Sequence, residues 1–291
     1  MIKKLFISGA LLLCAAFSIQ AQRIDKKLQA ELKSMISAYG GDIGIYVKNL
    51  RTGKVAAINA DSIFPTASIV KVPILLGIAD RMNKGELAYD SSLTYKDSLL
   101  YEGSDILGSF KSGEKIALKK LLMLMLTTSD NTASLWLQSL AGTGTRINTI
   151  LDSLGFKDTR VNSRTPGREN NRTQYGWGQT TPREMGSIFE KIYRFEVFSH
   201  SASERMLRLL GRNFWDENEG ISVIPPTIEV FSKNGCVNAS RSEAMIVNVP
   251  KNPFVFCIFT KNNKDIRWTN ENEAWTMARK VAGYLYNYFS N

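Results

Sequence analysis

Three short groups of residues in this chain could carry acyl transfer on a serine. The first is Ser68 with Lys71, which follow Phe64 and Pro65 at the start of an apolar segment. Residues three apart on a helix share a face, so Lys71 can reach the Ser68 hydroxyl. A serine becomes a good nucleophile when a nearby base takes its proton, and a lysine with a lowered pKa can be that base. A helix N-terminus also offers free backbone N–H groups to a developing oxyanion.

The second group is Ser129, Asp130 and Asn131, which lies between two predicted helices. Its hydroxyl could relay a proton to a leaving amine, and its carboxamide could bind a substrate amide. Helix capping alone would also account for these residue types, because Ser, Asp and Asn are the preferred N-cap residues. These three residues therefore indicate a functional site only in combination with the other two groups.

The third group, Lys233-Asn234-Gly235, ends a predicted strand. The lysine could lower neighbouring pKa values and hold a substrate carboxylate, and Gly235 would let a ligand approach the backbone closely. A simple turn at a strand end is the alternative. Lys111–Gly113 and Ser112–Lys115 copy the spacing of the third and first groups, but their glycine and charged residues predict an exposed turn.

In this order, the three groups resemble the signature of class A β-lactamases and penicillin-binding proteins. The likeness includes Phe64-Pro65, 129–133 and 180–185, and it covers nearly the whole chain after residue 21. The resemblance implies an α+β fold of the β-lactamase/transpeptidase type. In that fold a five-stranded antiparallel sheet is flanked by helices and stands beside an all-α subdomain.

The resemblance also implies a role for each site residue. Ser68 would be the acylated nucleophile, and Lys71 would help to activate it. Ser129 would pass a proton to the leaving nitrogen, and Lys233 would support that relay and bind the substrate carboxylate. The backbone N–H groups of Ser68 and Cys236 would form the oxyanion hole. The implied substrate contacts fall on Asn131, Gly235, Cys236 and Arg241.

The loop at 160–181 departs from the family pattern. Class A β-lactamases carry a glutamate there that serves as the base for deacylation. Counted without gaps, this chain has Thr165 at that position, and a threonine hydroxyl cannot replace a carboxylate base. Pro166 is expected to keep the cis peptide bond that family members often have. Glu169 stands where the family usually has an asparagine.

We hypothesise that Glu169 activates the hydrolytic water in place of the missing glutamate. The alternative is a solvated loop carboxylate beside Arg168 and Arg172. Undiminished deacylation in a Glu169→Gln variant would contradict the hypothesis.

Apolar periodicity predicts the elements that would position these groups. A helical middle from about Ser68 to Leu210 is predicted between strands near both ends of the chain. This order favours one largely antiparallel sheet built from both ends, with a functional cleft beside the helices. The outer elements are predicted as a helix at 23–39, strands at 43–48, 55–58, 227–233, 243–249 and 254–261, and a closing helix at 271–289.

The first residues predict an export signal. Lys3 and Lys4 precede an apolar run from Leu5 to about Ile19, and cleavage is expected after Ala21. The run is too short to span a bilayer, so a periplasmic or secreted protein is expected. A membrane anchor and lipidation at Cys14 are the alternatives. The predicted division is a signal peptide at 1–21, an α/β subdomain at 22–65 and 211–291, and an all-α subdomain at 66–210.

The composition limits the kinds of partner and cofactor that we expect for this protein. The net charge is +10, but the basic residues are scattered and the chain is expected to be exported, so a nucleic-acid partner is not predicted. His200 is the only histidine and no CxxC occurs, so neither a metal nor an organic cofactor is expected. A Ser-His-Asp triad would need His200, which lies in a polar stretch and is expected at the surface. Cys236 and Cys257 are expected to be free thiols, and the protein to be a monomer.

Three functions remain open at this point. The chain could open β-lactam rings and release the product with water. It could act on peptidoglycan stem peptides as a D-alanyl-D-alanine peptidase or transpeptidase. It could also be a penicillin-binding sensor that is acylated without turnover.

Overall fold

A computed structural model describes residues 23–103, 106–211 and 213–291, so the predicted signal peptide at 1–21 and Cys14 lie outside the described residues. The helices are α1 (Lys26–Met35), α2 (Lys71–Asn83), α3 (Leu118–Thr127), α4 (Asn131–Leu140), α5 (Thr143–Ser153), α6 (Glu169–Tyr175), α7 (Pro182–Tyr193), α8 (His200–Leu209) and α9 (Glu273–Ser290). The strands are β1 (Asp42–Asn49), β2 (Val55–Ile58), β3 (Phe64–Pro65), β4 (Ser92–Thr94), β5 (Lys115–Ala117), β6 (Arg160–Val161), β7 (Gly178–Thr180), β8 (Val230–Val237), β9 (Ser240–Val247) and β10 (Phe254–Lys261).

The main sheet has five strands in the order β2-β1-β10-β9-β8, and every neighbouring pair is antiparallel. Two strands come from the N-terminal end of the described chain and three from the C-terminal end. The predicted sheet built from both ends is therefore confirmed. β8, which carries Lys233 and Gly235, is an edge strand, so one side of it is open to contacts from outside the sheet.

Both faces of the sheet are buried, which explains why its strands are almost continuously apolar. Side chains alternate between the faces of a strand. In β10, Phe254, Phe256 and Ile258 pack in one core with α1 and α9, whereas Val255 and Phe259 pack in the other core with α7 and the middle helices. The division into two subdomains at the predicted boundaries stays a prediction.

The predicted helix that starts at Ser68 has two parts. A 3-10 turn at Ala67–Val70 carries the serine, and α2 begins only at Lys71. α2 is buried along most of its length, because its apolar residues contact the sheet side and the helices of the middle region. The Ser68 turn is therefore attached to the most deeply buried helix of the protein's middle region.

The loop predicted at 160–181 contains β6, α6 and β7. Its start is fixed by Glu184 of α7, whose carboxylate accepts hydrogen bonds from the backbone N–H groups of Lys157, Asp158 and Thr159. Across the loop, the Arg168 guanidinium donates to Asn162 Oδ1 and Gln179 Oε1. Over the described part of the chain, no helix combines the length and the apolar character needed to cross a bilayer.

Candidate active site

Lys71 is the centre of the polar cluster. Its Nζ lies 2.9 Å from Ser68 Oγ, 3.0 Å from Ser129 Oγ, 2.7 Å from the Ser129 carbonyl oxygen and 3.0 Å from Asn131 Oδ1. A Lys71 ammonium group has three protons for these four acceptors, so the four oxygens share its hydrogen bonds. The first two predicted groups therefore meet at one buried nitrogen, which connects both hydroxyls.

Ala67, which precedes Ser68, and Ser129 have left-handed backbone conformations although neither is glycine. The φ angle is +42° at Ala67 and +59° at Ser129. Such conformations are rare outside glycine, asparagine and aspartate, and they persist only where the surrounding structure imposes them. They place the Ser68 and Ser129 hydroxyls on Lys71.

Asp130 holds the second group in place by capping the N-terminus of α4. One carboxylate oxygen accepts from the backbone N–H of Ala133 at 2.7 Å, as the N-cap of α4. The other accepts from the backbone N–H of Leu107 at 2.9 Å. The capping interpretation is thus correct for Asp130, and the cap serves to hold Ser129 and Asn131 on either side of it.

The third group approaches the Ser68 turn from the edge of the sheet. A Cβ atom on Gly235 would lie 2.4 Å from the Thr66 carbonyl oxygen and 2.9 Å from the Ser68 backbone nitrogen. Only glycine allows β8 to come this close. The contact places the backbone around Cys236 beside that of Ser68, where an oxyanion hole would require both N–H groups.

Burial lowers the pKa of both lysines. Lys71 is fully buried; removal from water lowers its pKa well below the usual lysine value, and the positive charge of Lys233 lowers it further. The pKa of Lys233 falls to about 8, also because of burial. The Lys233 ammonium donates to Asn234 O at 2.8 Å and to Asn234 Oδ1 at 3.0 Å. A lysine with a lowered pKa has a neutral form that can take a proton from Ser68.

Two cavities meet at Ser68. The larger, of about 500 Å³, lies on the side of Asn131. Its lining also includes the C-terminal end of α6 and Trp177. The smaller, of about 320 Å³, lies on the side of Ser129. Ser68 and Cys236 line both cavities, so both open on the serine.

Glu169 and Thr165 do not line either cavity. Glu169 is exposed at the first residue of α6, and its Oε1 accepts from the Gly167 backbone N–H at 3.1 Å. The cavity wall is formed by the other end of this helix, about 9 Å further along its axis. Among the described residues, no contact of Glu169 supports a role in deacylation, and that hypothesis stays a prediction.

Thr165 is buried, and its hydroxyl donates to the Ser163 carbonyl oxygen at 3.0 Å. The same hydroxyl lies against Gly144 of α5, where any larger residue would collide with it. The cis peptide bond expected before Pro166 is absent, as are all others in the described ranges, so that expectation was wrong. The trans form is the lower-energy isomer even before proline.

Arg241 has partners other than a ligand. Its guanidinium lies 4.2 Å from the ring centre of Trp268 and 4.8 Å from that of Trp275, and it donates to the carbonyl oxygens of Asn238 and Val237. The predicted contact with a substrate carboxylate stays untested. His200 is exposed at the start of α8 and stacks on Phe195, as expected for a surface residue.

Cys236 and Cys257 are both free. Burial raises the pKa of the Cys236 thiol to about 12, so it is a weak nucleophile at neutral pH. Among the described residues, no three His, Cys, Asp or Glu side chains are grouped so that they could hold a metal ion.

The sequence interpretation missed the wall of the smaller cavity. It consists mainly of residues from 215 to 219 and two tryptophans near the start of α9, Trp268 and Trp275. Glu219 is buried there, which raises the pKa of its carboxyl, and it accepts a weak hydrogen bond from Cys236 Sγ at 3.9 Å. The available signal was the aromatic and acidic run at 214–219, which has neither helix nor strand periodicity.

An SxxK serine before a helix, a second serine bonded to the same lysine and a lysine on an edge strand form the arrangement that the sequence resemblance led us to expect. The sequence profile described as "Beta-lactamase enzyme family" matches residues 27–289. The chain belongs to this family.

Individual relatives are distant. The chain is 22% identical over 277 residues to β-lactamase VEB-1 of Pseudomonas aeruginosa, with 91% of each chain covered. It has the fold of PBP-A, a variant of which was solved as an acyl-enzyme complex with penicillin G (TM-score 0.81, 23% identity, 92% of this chain and 98% of that one). It also has the fold of the TLA-1 extended-spectrum β-lactamase (TM-score 0.81, 15% identity, 91% and 99% covered). The predicted β-lactamase/transpeptidase-like fold is therefore confirmed.

Proposed function

We propose that this protein opens β-lactam rings by acyl transfer to Ser68 and then releases the product slowly with water. The observation that carries the proposal is the position of Lys71 Nζ, within 3.0 Å of both the Ser68 and Ser129 hydroxyl oxygens. One buried amine with a lowered pKa can thus take the proton from the attacking serine and exchange it with the serine beside the leaving group.

The proposed acylation proceeds in two proton transfers. Neutral Lys71 takes the Ser68 proton as Oγ attacks the lactam carbonyl carbon, and the backbone at Ser68 and Cys236 stabilises the oxyanion. The carbon–nitrogen bond then breaks, and Ser129 gives its proton to the leaving nitrogen while it takes one from Lys71. Lys71 is neutral again when the acyl-enzyme has formed. The name of the VEB-1 relative and the penicillin complex of PBP-A support β-lactams as substrates.

Slow release is proposed because no carboxylate of the described residues lines the larger cavity. In β-lactamases of this type a loop glutamate activates the deacylating water. The same observation favours a second candidate function, a peptidoglycan D-alanyl-D-alanine peptidase or transpeptidase, or a penicillin-binding sensor. Each of these functions would share acylation of Ser68 with a β-lactamase. They would differ in how the acyl group leaves the serine, or in whether it leaves at all. An extracytoplasmic location belongs to the proposal, since these substrates are met outside the cytoplasm.

Stopped-flow absorbance with the chromogenic cephalosporin nitrocefin separates these possibilities. We expect a burst of about one equivalent per enzyme, followed by a slower steady phase that continues while substrate lasts. A burst with no steady phase would favour the second candidate. Absence of any burst or turnover at saturating nitrocefin would contradict both.

The two lysines predict a pH profile for acylation. The neutral form of Lys71 increases as the pH rises through its lowered pKa, so acylation efficiency should rise with pH on the acidic side. Lys233 loses its positive charge above its pKa of about 8, so the efficiency should then fall. Acylation by benzylpenicillin between pH 5 and 10 checks this. In a Lys233→Arg variant the fall should move above pH 10, because arginine stays charged; a wild-type profile that stays flat up to pH 10 would contradict the assignment.

A further inference from the structure

The side chains that line the two cavities at Ser68 differ in charge. Among the described residues that line the larger cavity, Lys261 is a cation and none is a carboxylate. The described lining of the smaller cavity contains Glu217 and Glu219 and has neither lysine nor arginine. A ligand that fills both cavities therefore meets a lysine on one side of the serine and two glutamates on the other.

The smaller cavity is the side of the leaving group. Ser129, which passes its proton to the leaving nitrogen in the proposed function, lines this cavity, whereas Asn131 lines the larger one. Groups attached to the leaving nitrogen, such as the second ring of a β-lactam and its substituent, would lie here. This assignment rests on the proposed function.

Two exposed tryptophans line the smaller cavity. Trp215 precedes β8 and is 52% exposed, and Trp268 precedes α9 and is 58% exposed. Each is fixed by its indole N–H, which donates to the Thr128 carbonyl oxygen at 2.8 Å for Trp215 and to Asn238 Oδ1 at 3.0 Å for Trp268. Exposed apolar rings that are held in place beside a functional cleft indicate a binding surface.

Glu217 is the exposed carboxylate of this wall. Glu219 lies deeper, and its burial favours the neutral acid. The Arg241 guanidinium already covers ring faces of Trp268 and Trp275, so Trp215 is the tryptophan of this wall that we assign to a ligand cation. Trp215 has Phe214 as its ring neighbour, at 4.7 Å in an edge-to-face arrangement.

We propose that the smaller cavity binds a cationic group, such as a pyridinium or a quaternary ammonium, on the leaving-group side of zwitterionic β-lactams. Trp215 supplies a ring for cation–π contact and Glu217 supplies the opposite charge. The substrate carboxylate would remain next to Lys233. The protein would thus prefer substrates that carry a cation near their carboxylate over substrates that carry a neutral group there.

Cephaloridine and cephalothin test this directly, because they share one acyl side chain and differ in a pyridinium against a neutral acetoxy group on the leaving-group side. Binding of each to Ser68→Ala protein is measured by titration calorimetry, so their different chemical reactivity does not enter. We expect cephaloridine to bind about 10-fold more tightly than cephalothin. The preference should fall to about twofold or less when Glu217→Gln or Trp215→Leu is added.

The matched control is Glu196→Gln in the same Ser68→Ala protein, since Glu196 is an exposed glutamate that lines neither cavity. It should keep the full preference. Equal binding of the two cephalosporins, or a preference that survives both cavity variants, would overturn the proposal. Acylation of the wild-type protein, measured separately, reports on the proposed function: a preference in binding without any acylation would retain the cation site and reject the acyl-transfer activity.

Discussion

Replacement of Lys71 by methionine is expected to slow acylation by benzylpenicillin at least about 10³-fold, in the range that a positioned general base contributes. The substitution removes the nitrogen that lies within 3.0 Å of both hydroxyls. The protein should still fold, because methionine has a similar size and shape, with a loss of about 1–3 kcal/mol for the acceptors that lose their donor. Loss of acylation in a protein that remains folded is the expected pattern for a catalytic lysine.

The measurements are the acylation rate by intact mass against time and the free energy of unfolding in urea. Lys115→Met is the matched control, because Ser112 and Lys115 copy the Ser68–Lys71 spacing, with Ser112 in an exposed turn and Lys115 exposed at the first residue of β5. It should leave acylation unchanged. A Lys71→Met protein that is acylated within about 10-fold of the wild-type rate would remove Lys71 from the mechanism.

Gly235→Ala is expected to lower acylation efficiency about 10²-fold. The new methyl group would lie 2.4 Å from the Thr66 carbonyl oxygen and 2.9 Å from the Ser68 nitrogen, so either β8 or the Ser68 turn must move. Displacement of a catalytic group by about 1 Å can cost about this much rate. Overpacking of this kind also costs about 1–3 kcal/mol of stability.

Acylation kinetics and urea unfolding check this result. Gly283→Ala is the control, because the nearest atom to its added methyl group is 3.7 Å away. Gly283 lies within α9, where alanine should raise stability by about 0.5–1 kcal/mol and leave acylation unchanged. Wild-type acylation in Gly235→Ala would show that the close approach of β8 to Ser68 is not required.

The fold could be predicted from the sequence because its strongest signals are local. A few consecutive residues are enough to predict the type of each element. This holds for the apolar runs of β9 and β10, the turn between β1 and β2 and the amphipathic helices. The elements inside the loop at 160–181 could not be predicted, since α6 has no buried residue and its polar sequence lacks a helical apolar stripe. The 3-10 turn at Ser68 was missed for a related reason: it is set by the contact with β8, which is distant in sequence.

The centre of the site could also be predicted, because Ser68, Lys71 and Ser129 belong to motifs with fixed spacing. Its periphery could not. The contacts of Arg241 with Trp268 and Trp275 join residues about 30 positions apart and gave no sequence signal, whereas its predicted contact with a substrate carboxylate stays a prediction. Glu219 belongs to no motif, and its contact with Cys236 joins residues that are 17 positions apart in the sequence.

The measurement that tests the central claim most directly is intact-mass analysis and peptide mapping after exposure to benzylpenicillin. The wild-type protein should gain the mass of one penicilloyl group, located on the peptide that contains Ser68, and the Ser68→Ala protein should gain none. An adduct on another residue, or no adduct at saturating benzylpenicillin, would contradict acyl transfer at Ser68.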